Sequence, residues 1–206
     1  MPTPMFPLGS VLLPGVVLPL HVFEPRYRAL VRDCLAGDRS FGVVLIERGS
    51  EVGGGDVRTD VGTLARIVRV DELPGERYGV VAVGLHRIRV TRWLPDDPYP
   101  RAEVEPWPDR SGPAAGGDEA ALTEVTALLR RAAALRTELG EPAPPLDLEL
   151  GDDPVVAGYR ATALSPLGPV DRHDLLCAST AGERIDRLRE LLRGQIELLE
   201  ARLAAP

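Results

Sequence analysis

The strongest constraint on the fold is a break in periodicity at residues 106–118, "PWPDRSGPAAGGD", where proline, glycine and small residues cluster. Before the break, apolar residues alternate or run in short blocks of strand length. After it they recur at steps of three and four. The two patterns cannot share one kind of element, because side chains repeat every ~3.6 residues on a helix and every ~2 on a strand. The chain therefore reads as a strand-rich region over 1–110, a linker over 111–117 and a helical region over 118–206. With 206 residues there is length enough to bury a core in each.

Within the first region, Val16–Phe23 reads as extended, with Leu18, Leu20 and Val22 on one face. Phe41–Glu47, "FGVVLIE", is a continuous apolar run that suits a strand buried on both sides. "EVGGGDVRTD", residues 51–60, reads as a hairpin tip, since its glycines lack the spacing of a nucleotide loop. Val61–Val70 and Tyr78–Arg92 are strands joined by the turn "DELPGER". In the second of these the apolar parity changes between Leu85 and Ile88, which predicts a bulge near Leu85–Arg87. Arg101–Glu105 alternates, with Ala102 and Val104 inward. Strands of this kind predict a compact β-barrel or rolled sheet. One short helix interrupts them: Tyr27, Leu30, Val31, Cys34 and Leu35 form an apolar stripe, Pro25 suits its first turn and Gly37 its exit.

The helical region divides at its prolines and glycines. A first helix runs from a cap at Asp118 to about Leu139, before Gly140 and the stiff connector Pro142–Pro145. Pro154 opens a second helix that ends near Ser165, and Asp171–Ala178 makes a short third. The last begins at a Thr180/Glu183 capping box and carries Ile185, Leu188, Leu192, Ile196, Leu199 and Leu203 on one stripe. The fold class is thus α+β, with a small barrel or rolled sheet followed by an α-helical bundle that ends in a long helix.

Chemistry is constrained by what is missing. All 24 basic residues are arginines. Without lysine there is no Walker phosphate loop, Ser–Lys dyad, Schiff base or pyridoxal anchor. The net charge of −7 is concentrated after residue 110 and opposes a duplex-binding face, so nucleic acid is an improbable partner. His21, His86 and His173 stand apart, Cys34 and Cys177 read as buried thiols, and neither a metal nor a cofactor is expected. Arg87, Arg89 and Arg92 beside Trp93 read as the solvent face of an edge strand. No apolar stretch is long enough to span a membrane and no signal peptide is visible, so a cytoplasmic protein is expected. That leaves "HVFEPRY", where His21, Glu24, Arg26 and Tyr27 flank Pro25 as either a small active site or a structural corner.

"FPLGSVLLPGVVLPLHVFEPRYRALVRDCLAGDRSFGVVLI", residues 6–46, and "DVGTLARIVRVDELPGERYGVVAVGLHRIRV", residues 60–90 of the next strands, resemble the substrate-binding N-terminal domain of Lon ATP-dependent proteases. The leucine-rich helices after residue 117 are similar to that domain's helical extension. The resemblance implies a PUA-like barrel joined to a helical bundle, and recognition of proteins or exposed peptide segments. It implies no catalysis, because the family's ATPase and peptidase both need lysine, so a stand-alone, non-enzymatic protein is expected. An adaptor role in protein quality control follows as an extension, with an RNA-binding PUA-like protein or a small-molecule-binding domain as alternatives. Oligomeric state, client and groove residues stay open. On this reading His21, Glu24, Pro25, Arg26 and Tyr27 are structural. Glu24 sits at the positive end of the helix, facing an arginine from another strand, Tyr27 packs inward and Arg26 faces solvent.

Overall fold

The computed structural model describes residues 2–49, 55–110, 118–147, 149–151 and 153–205. Contacts divide the chain into two units, Met1–Pro108 and Asp109–Pro206. The first contains β1 (Thr3–Leu8), β2 (Val17–Val22), α1 (Pro25–Ala36), β3 (Ser40–Arg48), β4 (Val57–Leu73), β5 (Arg77–Leu94) and β6 (Arg101–Pro106). The fold class is α+β, as expected.

The six strands form one sheet in the order β2-β5-β4-β3-β1-β6, and β6 pairs with β5 as well. The hydrogen-bonded order therefore returns on itself through β5, β4, β3, β1 and β6. Only β1 and β3 run parallel, with Met5 opposite Gly42 and Leu8 opposite Leu45. β1 was not expected as a strand, because Pro4 and Pro7 interrupt its pattern. The register explains how it tolerates them: Pro4 lies opposite Arg101 where β1 passes from β6 to β3, and the residues from Met5 to Leu8 are buried. The expected bulge is present. Leu64 faces His86 and Ala65 faces Gly84, so Leu85 has no opposite number. At Gly62 a β-carbon would collide with the Val43 carbonyl oxygen, and at Gly84 with that of Leu13, so both positions exclude any side chain.

Helix α1 begins at Pro25 and buries Tyr27, Leu30, Val31 and Cys34 against the sheet, while Leu35, the last member of the expected stripe, is exposed. The Cys34 thiol donates to the Ser40 carbonyl at 3.3 Å, and burial pushes its pKa up to about 12. Tyr99 reaches the same helix, donating its hydroxyl to Asp33 at 2.6 Å.

The second unit contains α2 (Asp118–Glu138), α3 (Pro154–Leu164), α4 (Pro169–Leu176) and α5 (Ala181–Ala204). The linker 111–117, Gly53 and Gly54 of the hairpin tip and the side chain of Asp118 lie outside what is described. Asp153 caps α3, accepting from the backbone N–H groups of Val155 and Val156 at 2.8 and 3.2 Å. At α5 the Thr180 hydroxyl accepts from Glu183 N–H at 3.1 Å. The Glu183 carboxylate accepts from Ser179, one residue earlier than a standard capping box, at 2.7 Å. The α5 stripe is buried within its own unit: Ile185, Leu188 and Leu192 pack with Val125 and Leu129 of α2, while Ile196, Leu199 and Leu203 pack with Ala132 and Leu135. Each such leucine contributes about 1.5–3 kcal/mol when fully buried.

The core of this unit also holds a charge. Arg184 has 0% of its surface exposed. Its guanidinium donates to both carboxylate oxygens of Asp109 at 2.7 and 2.8 Å, to the Tyr159 hydroxyl at 2.9 Å and to the Leu175 carbonyl at 3.1 Å. It also lies 3.9 Å from the centre of the Tyr159 ring.

Removing that cation strands its acceptors. Arg184→Met is expected to destabilise the helical unit by about 3–5 kcal/mol, read as a lower urea midpoint. The two thiols should also separate kinetically. At pH 8 an aromatic disulfide reagent is expected to label half-buried Cys177 in the folded protein, and Cys34 only after urea is added.

Candidate functional site

The corner residues meet as a packed set. His21 is exposed on β2 opposite Gly79, its ring 6.2 Å from that of Phe23. Glu24 is the N-cap residue of α1 but makes no side-chain cap bond, and Pro25 takes the first helical position. The Glu24 carboxylate accepts from Arg26 Nε at 3.1 Å, so its arginine comes from its own helix and not from another strand. Arg26 is not solvent-facing: its side chain is 17% exposed, and its guanidinium lies 4.4 Å from the centre of the Tyr27 ring. A cation bonded on one side and resting on a ring on the other has little need of water, which is why an arginine can sit there. Tyr27 completes the stack, parallel to Phe6 at 4.1 Å between centroids, and burial pushes its phenol up to about 12.

A cavity of about 180 Å³ lies beside this stack, lined by residues that include Phe6, Leu20, His21, Phe23, Glu24 and Tyr27. Its one carboxylate is engaged with Arg26 and its phenol stays protonated at neutral pH. The set thus has an apolar floor and no activated nucleophile.

Two polar clusters of the same unit escaped the sequence reading. Arg58 bridges Asp56 at 2.6 Å and Asp96 at 2.7 Å and lies 5.0 Å from the Trp93 ring centre. Burial works to raise the pKa of Asp56, but the hydrogen bond and charge of Arg58 outweigh it and hold the carboxyl below its usual value. Of the Arg87/Arg89/Arg92 series, Arg89 and Arg92 are exposed as expected, but Arg87 is buried and the strand is not an edge. β5 pairs with β2, β4 and β6, so it is a central strand. Arg87 is 3% exposed, Arg87 and Arg89 lie 4.6 and 5.2 Å from the Trp107 ring centre, and Arg92 donates to Glu103 at 2.6 Å. Among the described residues no group of three or more His, Cys, Asp or Glu side chains is placed to hold a metal ion. No helix there is long and apolar enough to cross a membrane.

A further recess lies in the helical unit, between α4 and α5. This groove of about 450 Å³ has Leu175, Leu191 and Leu198 along it, Asp171 and Asp174 on the α4 side, and Arg187, Glu190, Gly194 and Gln195 on the α5 side. Leu198 is 59% exposed. Sequence reasoning missed it because it followed the one full stripe of α5. The signal was a second, partial stripe, Arg187–Leu191–Gly194–Leu198, on an adjoining face. Chemically the groove offers apolar surface with an acidic margin, which suits binding and supplies no reaction.

Residues 2–194 match the family described as the ATP-dependent protease La (LON) substrate-binding domain. The chain is 31% identical over 201 residues to Lon protease 2 of Herpetosiphon aurantiacus, covering 96% of this chain and 24% of that protein. It thus spans about a quarter or less of the length of the curated Lon proteases it matches. Among solved structures, the Lon N-terminal domain protein from Xanthomonas campestris aligns with a TM-score of 0.61 at 33% identity, covering 91% of this chain and 96% of that one. The N-terminal domain of Lon protease from the Mycobacterium avium complex aligns with a TM-score of 0.69 at 20% identity, over 94% and 98%, and supports the fold alone.

Breaking the corner's ion pair tests what the corner does. Glu24→Gln is expected to lower stability by about 1 kcal/mol, read as a shift in urea midpoint, because the pair is only partly shielded from solvent.

Proposed function

The chain belongs to the family of Lon substrate-binding domains, and from that membership we propose that it recognises protein substrates by binding exposed apolar peptide segments. The substrate-binding domain of this family is non-catalytic in itself, and the reading is of a non-enzymatic client-binding or adaptor protein of cytoplasmic protein quality control. The family match over residues 2–194 carries the reading. The α4–α5 groove is its proposed seat, because it combines exposed Leu198 and half-buried Leu191 with a polar margin in one recess. With it we assign His21, Glu24, Pro25, Arg26 and Tyr27 to structure, and a PUA-like character to the strand unit.

The mechanism follows from surface area. A folded protein keeps its large apolar side chains covered, so it has nothing to lay against Leu191 and Leu198. An unfolded or partly degraded chain presents such side chains, and each one desolvated against the groove gains about 25 cal/mol per Å² of apolar surface. A few side chains in a recess of this size give reversible binding, which suits a module that must release what it recognises.

Fluorescence anisotropy with a labelled, permanently unfolded casein tests the reading on the full chain. Leu198→Asp should weaken binding about tenfold, with circular dichroism and melting temperature unchanged because Leu198 is mostly outside the core. Casein binding with unaltered affinity in this variant removes the groove as the seat. No measurable binding of casein by the parent protein overturns the reading itself.

A further inference from the structure

Resting on that reading, we infer that the α4–α5 groove takes a short amphipathic helix whose apolar face is flanked by lysine or arginine. Three features of the groove select that occupant.

The first is backbone accounting. The longer wall, α5, is helical over the whole length of the groove, so its N–H and C=O groups there are already bonded along its own axis, and α4 is helical opposite it. An extended segment laid between them would lose water from its backbone and find no partners. A helical segment brings its backbone bonds with it, and meets the groove with side chains at i, i+3, i+4 and i+7. Leu191 and Leu198 are seven residues apart, about 10 Å along α5, or two turns of such a helix.

The second is Gly194. Glycine inside a helix is unfavourable, and here its own unit does not require it, since a β-carbon at 194 would meet nothing within 4 Å. Its place is in the groove, between the two leucines, where it leaves bare backbone for a second helix to approach closely.

The third is charge. Arg187, the one cation lining the groove, is held by Glu183 at 2.6 Å. Asp171, Asp174 and Glu190 line it with no ion-pair partner among the described residues. Elsewhere on α5, Asp186 and Glu200 each have an arginine, at 3.1 and 3.0 Å. The groove therefore presents uncompensated negative charge around an apolar floor. Cationic residues at the ends of an apolar helix complement it, and acidic ones are repelled.

The experiment compares three synthetic peptides on the full chain by anisotropy at low salt: a leucine-faced helix flanked by lysines, the same helix flanked by glutamates, and the lysine peptide with a central proline. The lysine peptide should bind at least about tenfold more tightly than either of the others, and its advantage over the glutamate peptide should shrink as salt is raised. In Asp171→Asn/Asp174→Asn/Glu190→Gln that advantage should vanish. Gly194→Leu should weaken the lysine peptide about tenfold without lowering the melting temperature, because the position is open within the unit. Equal binding of the lysine and glutamate peptides overturns the charge inference, and undiminished binding of the proline peptide overturns the helical one. Both leave substrate recognition standing if casein still binds. Dimerisation of the parent that Leu198→Asp abolishes overturns the inference by making a second copy the occupant. Failure of casein and all peptides alike defeats the underlying reading.

Discussion

A guanidinium with no access to water must find every partner inside the protein, and that requirement organises the helical unit. Arg184 of α5 takes an aromatic face and a hydroxyl from α3, a carbonyl from α4 and a carboxylate from Asp109. Leucine packing alone would allow these helices to slide in small steps, since apolar contacts are not directional. The bidentate Asp109 contact and the Leu175 carbonyl do not permit sliding. They set where α4 lies against α5, and hence the width of the recess between them.

The strand unit solves a different problem, the closing of a sheet with short strands at both ends. β4 and β5 are long enough to pair with different neighbours along their length, and the bulge at Leu85 lets β5 bend between them. Glycine at 62 and 84 admits the backbone of Val43 and of Leu13 at the points of closest approach. Against this sheet the Phe6–Tyr27–Arg26–Glu24 column packs the start of α1.

What could be read in the sequence follows from how local each cause is. The α5 stripe, its Thr180 cap, the Pro25 start of α1 and the Leu85 bulge are written in residues close together in the chain, and the periodicities report them. β1 is not, because its prolines obscure the alternation and its place depends on β3 and β6. The burial of Arg26 and Arg87 is not legible either. An arginine in a sequence reads as solvent-facing, and only the ring or carboxylate brought alongside by the fold permits otherwise. The groove is the extreme case, since half of it belongs to α4 and half to α5, and the partial stripe on α5 does not say which helix lies beside it.

Leu175 belongs to two structures at once. Its buried side chain underlies the groove, and its carbonyl holds Arg184. Any molecule that seats in the groove above it therefore rests on a residue on which the order of α3, α4 and α5 already depends. Occupancy and unfolding of this unit are linked quantities: a ligand that requires Leu175 in place draws on the folded population alone, and returns its binding free energy as resistance to opening. Holding a ligand in this groove and remaining folded are then one equilibrium.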